Sequence, residues 1–186
     1  LNARLEKVVE RHQLLGEVQN GFRKGRSGSD SAFVLNTVLW KSLAQKKKIH
    51  VSFLDLQKAY DSVDRGILWE KMRKMGFGGK FLDSIISMYK GDFVTCDSGG
   101  ITTDPVFLGR GLRQGSSLSP LLFALYIVDM SRDLVSSNLG VKLKRFCISA
   151  LFFADDIVLI SRQKVQNFSF HPKSPSTVVS ATWRLS

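Results

Sequence analysis

Cysteine is nearly absent from this 186-residue chain. Cys96 and Cys147 lie far apart and outside any metal-type spacing, so a disulfide scaffold and a zinc module are both excluded. Long apolar runs are missing too. Leu118–Met130 and Cys147–Ile160 are interrupted or too short to span a bilayer, and no membrane partner is expected. The opening LNARLEKVVERH lacks the apolar core of a signal peptide. Acids are scarce, 16 Asp and Glu against 27 Lys and Arg, which leaves a net charge of +11. No internal repeat is visible.

What remains is ordinary globular composition, 44% hydrophobic and 23% charged, which excludes wholesale disorder. The charge is unevenly placed: +6 over residues 1–50, zero over 51–100 and +5 over 101–186. A pI near 9.9 fits a polyanionic partner, nucleic acid first, although a merely soluble basic protein has the same composition. The acids gather in the middle of a basic chain.

Leu1, Leu5, Val8, Val9 and Leu15 recur at helical spacing, with Gly16 as the stop. GFRKGRSGSD reads as an exposed loop closed by Ser29 or Asp30 as an N-cap, before a helix carrying Phe33 to Leu43. Lys46, Lys47 and Lys48 then complement the helix dipole. His50–Leu56 alternates and reads as a buried strand. Asp64 is expected to cap one helix and Phe81–Tyr89 to form another, stopped by Gly91. Val94–Cys96 and Val106–Leu108 look like strands flanking an Asp97–Gly100 turn. Pro120 suits the first turn of a buried helix running from Leu121 to about Val135 after a Ser-rich cap. After Ser161 there are no acids and no sustained period, and Pro172 and Pro175 appear, so this tail is expected to stay out of the core.

Three acids break this pattern. Asp55 lies inside a buried-looking strand, and Asp155–Asp156 interrupt an apolar run. Buried, adjacent carboxylates need compensation, and a hard cation such as magnesium supplies it. The Asp-Asp pair also suits a tight hairpin turn, and a plain solvent-exposed turn has the same sequence. On a flat strand the two side chains face opposite ways, so one of the pair is the expected direct ligand.

FLDLQKAYDSVDR (residues 53–65), GLRQGSSLSPLLFALYI (111–127) and FADDIVLI (153–160) resemble, in order and spacing, three motifs of reverse transcriptases. QNGFRKGRSGSD (19–30) resembles an upstream element of the non-LTR, LINE-type branch. The resemblance covers residues 1 to about 161. It implies an α+β polymerase palm, an antiparallel sheet backed by helices, with part of the fingers and no thumb. Partial fingers would occupy 1–49, the palm 50–161, and a disordered tail outside the family pattern 162–186. The chain would thus be a piece truncated at both ends, without the basic strand pair that precedes these motifs.

At the matching positions the resemblance implies roles. Asp55 and Asp155 are the expected catalytic metal ligands, with Asp156 in support and the Leu56 carbonyl adding an oxygen. Tyr60 matches the aromatic under the incoming sugar, though a buried packing tyrosine would look the same. Gln114 and Gly115 match a turn against nucleotide and template, and equally a glycine turn before a capped helix. Arg23 and Arg26 match a basic loop on template phosphates, or are generic surface arginines. The implied reaction is RNA-directed DNA synthesis from dNTPs on a DNA primer and RNA template. Two Mg²⁺, or Mn²⁺ in their place, would assist it. As an isolated chain it is expected to be weak or inactive. The residues leave the location open; it would be intracellular, and nuclear if the chain acts as the family does. A group II intron-type reverse transcriptase and a catalytically silent basic RNA-binding remnant are the rival readings.

Overall fold

A computed structural model describes residues 1–144, 146–163 and 178–185. Helix α1 (Asn2–Arg11) buries Leu5 and Val9, one turn apart on a single face. It ends before Gly16, and Leu15 reaches the core from a turn instead. Helix α2 (Gly28–Ala44) starts at Ser27, not at Ser29 or Asp30. The Ser27 hydroxyl accepts the Asp30 amide while the Asp30 carboxylate accepts the Ser27 amide, a capping box that satisfies two donors at once.

Strand β1 (Ile49–Leu56) leads to α3 (Arg65–Lys74), whose first turn is capped by the Asp64 carboxylate on the Ile67 amide at 2.9 Å. Helix α4 (Gly79–Met88) follows. Next come β2 (Phe93–Val94), β3 (Asp97–Ser98), β4 (Ile101–Thr102) and β5 (Val106–Phe107), which make two short ribbons, β2 with β5 and β3 with β4. The inner turn narrows to Gly99–Gly100. The long apolar helix is divided at Ile127 into α5 (Ser119–Tyr126) and α6 (Val128–Ser136). No side chain caps α5. Its Ser119 hydroxyl donates instead to the Arg113 carbonyl at 2.6 Å and ties the preceding loop down. β6 (Val141–Leu143) and β7 (Phe146–Ile148) form a ribbon, and β8 (Ala150–Phe153) and β9 (Asp156–Ser161) a hairpin.

The main sheet is antiparallel throughout, in the order β10–β1–β9–β8, with β10 being Val178–Leu185. At residues 178–185 the pairing of β10 with β1 departs from the disorder expected of the tail. Composition hid a run of strand formers, VVSATW, that can complete the ladder along the otherwise unpaired edge of β1. The expectation for residues 164–177 and Ser186 lies outside the described residues. Among the described residues, no helix is long and apolar enough to cross a membrane.

Strand period sends alternate β1 residues to two cores. Leu54 and Leu56 join the larger one with α1, α3, α4 and α5. Ile49 and Val51 join a smaller one with Val38 of α2, Leu151 and Ile160. The second face continues to Phe53 and Asp55, and there it is exposed. This opening at the end of β1 creates the site.

Candidate active site

Asp55 stands opposite Asp156 in the β1–β9 register, so the two share one face of the sheet. Asp155 is the second residue of the two-residue β8–β9 turn, and the first is Ala154 at φ +60°. The hairpin expected at the Asp-Asp pair is therefore present, shifted by one residue. The expectation of buried carboxylates is corrected: Asp55 and Asp156 are exposed and Asp155 is half-buried. A strand end and a turn bordering a cleft leave these acids in reach of solvent. The Asp156 carboxyl is pushed above its ordinary value, first by partial burial and then by the charges of Asp155 and Asp55.

Asp55, Leu56, Tyr60, Gln114, Gly115 and Asp155 line one open cleft of about 730 Å³, a size that accommodates a nucleotide-like ligand. Asp156 does not line it. Among the described residues, no three of His, Cys, Asp and Glu gather into a closed ligand set. Two carboxylates at an open cleft are a fit for Mg²⁺, which keeps waters and takes substrate phosphates as its remaining ligands.

Tyr60 stacks on Phe123 with ring centroids 5.1 Å apart and planes inclined by 19°. Burial, and secondarily the Asp155 charge, pushes its hydroxyl up to about 12, so the phenol is neutral at physiological pH. The loop after Tyr60 is bound to the Gln114 turn by backbone. The Leu112 amide donates to the Tyr60 carbonyl at 2.9 Å and the Gly111 amide to the Val63 carbonyl at 2.8 Å. Gly111 has φ +87°, and a Cβ there would lie 3.0 Å from the Asp61 carbonyl oxygen, so only glycine suits both conformation and space. The Gln114 side-chain amide donates to the Asp61 carboxylate at 3.1 Å.

Beneath this turn is a charge network that sequence inspection missed. The Arg65 guanidinium donates to the carbonyls of Gly111, Tyr89 and Leu108 and to the buried Asp92 carboxylate. Arg113 donates to the other Asp92 oxygen. The bond from Arg113 holds the Asp92 carboxyl below its ordinary value, with Arg65 adding to it. Arg65 stood at the end of a recognised motif, but nothing in the sequence pairs it with Asp92.

Arg23 does not face solvent, which corrects its assignment to template phosphates. The residue is 8% exposed, and its guanidinium is paired bidentately with Glu10 at 2.7 Å, with further bonds to the Gly16 and Gln19 carbonyls. Partner and carbonyls meet its donors inside the protein. Arg26 donates to the Glu17 carboxylate and carbonyl and to Asn20 Oδ1. Both arginines of the loop are thus paired within the protein, Arg23 buried and Arg26 half-buried, while Phe22, Lys24 and Gly25 stay exposed.

A family model described as reverse transcriptase (RNA-dependent DNA polymerase) matches residues 1–182, past Arg162, where family features were expected to end. The chain is 29% identical over 147 residues to the Pol polyprotein of the type-2 retrotransposable element R2DM of Drosophila melanogaster, covering 79% of this chain and 14% of that protein. It is 31% identical to a 149 kDa protein of transposon TX1 of Xenopus laevis, covering 76% of this chain and 11% of that one. The chain thus spans a small part of these relatives. Among solved structures, apo telomerase from Candida tropicalis matches 88% of the chain and 33% of its own, at TM-score 0.54 and 14% identity, a likeness of fold. With a family match over nearly the whole chain and its motif residues gathered round one cleft, this protein belongs to the reverse transcriptase (RNA-dependent DNA polymerase) family.

Proposed function

We propose that the cleft is a nucleotidyl-transfer site that extends a DNA primer on an RNA template. The observation that carries this reading is the meeting of Asp55 and Asp155, a hundred residues apart in sequence, on the wall of a cleft shared with Tyr60 and Gln114. Reverse transcriptases use divalent metal ions and act on RNA templates. Here Asp55, Asp155 and the Leu56 carbonyl would hold two Mg²⁺, or Mn²⁺, with Asp156 in support. Such ions supply activation of the attacking oxygen and charge neutralisation on the leaving group.

The chain's own residues orient the reactants. A primer 3′-hydroxyl attacks the α-phosphorus of a dNTP, the new O–P bond forms as the bond to pyrophosphate breaks, and the hydroxyl proton leaves to solvent. The Tyr60 ring is braced on Phe123 and lines the cleft, where it would lie under the incoming sugar and exclude a 2′-hydroxyl. Gln114 and Gly115 line the same cleft, and there they would border base and template. Because phosphoryl transfer is mostly positioning and charge stabilisation, this arrangement supplies what the chemistry needs.

The test is single-nucleotide primer extension on an RNA template with Mg²⁺ and with Mn²⁺, using Asp155→Asn as the blank. Slow incorporation that vanishes in Asp55→Asn and Asp155→Asn is expected. Incorporation that survives both substitutions sinks the assignment, and none by any of the proteins favours a silent nucleic-acid-binding role.

A further inference from the structure

The strap from Val18 to Gly21 grips the hairpin that carries Asp155. Its backbone runs alongside β8: the Phe152 amide donates to the Val18 carbonyl and the Asn20 amide to the Phe152 carbonyl, each at 2.9 Å. The Gln19 side chain is 2% exposed and ends on the hairpin turn itself. Its Oε1 accepts from the Ala154 amide at 3.2 Å and from the Gly21 amide at 2.9 Å, and its Nε2 donates to the Ala154 carbonyl at 3.4 Å. Ala154 is the turn residue at φ +60°, a position that usually takes glycine. Two hydrogen bonds to its own peptide groups thus hold an unfavourable conformation one residue before Asp155.

Gly21 closes the grip from the other side. A Cβ on it would stand 2.2 Å from the Ala154 nitrogen and 2.9 Å from the Ala154 Cα. Both are backbone atoms, so any side chain at position 21 displaces the turn. The strap is itself anchored, since Arg23 bonds the Gln19 carbonyl and reaches Glu10 on α1, while Asn20 bonds Ser31 on α2.

We propose that Gln19 and Gly21 are positioning residues that set where the Asp155 carboxylate stands in the cleft, and hence its grip on a divalent cation. The inference rests on the metal reading of Asp55 and Asp155 given above. Groups that orient a metal ligand from behind carry a large share of its affinity, and losing one costs about 10-fold or more.

Mn²⁺ binding to the 186-residue chain, followed by electron paramagnetic resonance without substrate, tests it. Gln19→Met keeps the volume and removes all three bonds, and it is expected to weaken Mn²⁺ binding about 10-fold. Gly21→Ala is expected to do likewise. Thermal unfolding of each variant is measured alongside, because a purely structural role would lower the melting temperature and leave the affinity of the folded protein unchanged. Weakened binding in Asp155→Asn but wild-type binding in folded Gln19→Met and Gly21→Ala overturns this inference alone. Wild-type binding in Asp155→Asn overturns the metal reading, and the inference with it. Should neither strap variant fold, the wild-type Ala154 amide decides: slow hydrogen exchange is expected, and free exchange refutes the grip.

Discussion

Tyr60 shows how one side chain joins packing to selectivity. Its ring lies against Phe123, its hydroxyl is kept protonated chiefly by burial, and its edge borders the cleft with Asp155. Tyr60→Ala removes the surface under the sugar while leaving both carboxylates in place. Ribonucleotide incorporation relative to dNTP incorporation is expected to rise in that variant and to stay low in Tyr60→Phe, which keeps the ring. Competition assays with matched dNTP and rNTP measure the ratio. An unchanged ratio in Tyr60→Ala would return the residue to packing alone. Arg23 is the contrasting case: a basic residue in a basic loop, yet it bonds inward.

Buried polar contacts add to the hydrophobic core in tying the elements together at this site. Asp92, just after α4, bonds Arg65 at the start of α3 and Arg113 in the loop before α5. Removing one member of a buried pair strands the other charge, so Asp92→Asn should destabilise the protein by about 3 kcal/mol. The Asp92 carboxyl is held below its ordinary value in the folded state. A depressed acid contributes stability above its unfolded pKa, near 3.9, and loses it as pH falls through the folded value. Wild-type stability should therefore decline below about pH 4, and the decline should be shallower in Asp92→Asn. Denaturant melts at pH 3 to 7 measure both effects, and parallel pH profiles would show that the network does not set acid stability.

Across the whole molecule the net charge is +11, yet the cleft is lined by Asp55, Asp61 and Asp155 against a single Lys58. Binding to single-stranded RNA is expected to be electrostatic and weakly dependent on sequence. Affinity should fall at least about 10-fold between roughly 50 and 200 mM salt. Fluorescence anisotropy over a salt series gives the slope, and a flat slope would assign the charge to solubility only.

Most of the elements were legible because their signals are local. The alternation of His50–Leu56, the Asp64 cap and the apolar halves around Asp155–Asp156 each need only neighbouring residues to be read. So did the candidate acids, since a charge inside an apolar run stands out without any fold. Motif order then carried the family. Other features depend on residues brought together from far along the chain. The Ser27 cap displaced two equally suitable residues because Asp30 could answer it. β10 formed because β1 offered an unpaired edge, which no composition count of the tail can register. The exposure of Asp55 follows from how much of β1 the neighbouring elements cover, not from the apolar residues beside it in sequence. Gln19 meets Ala154 only through folding, with 135 residues between them, and a hydrogen bond leaves no periodic trace at that distance. Local propensity wrote the strands and the acids into the chain; the exposure of those acids and the setting of the Asp155 turn arose only when distant backbone donors and acceptors had to be satisfied together.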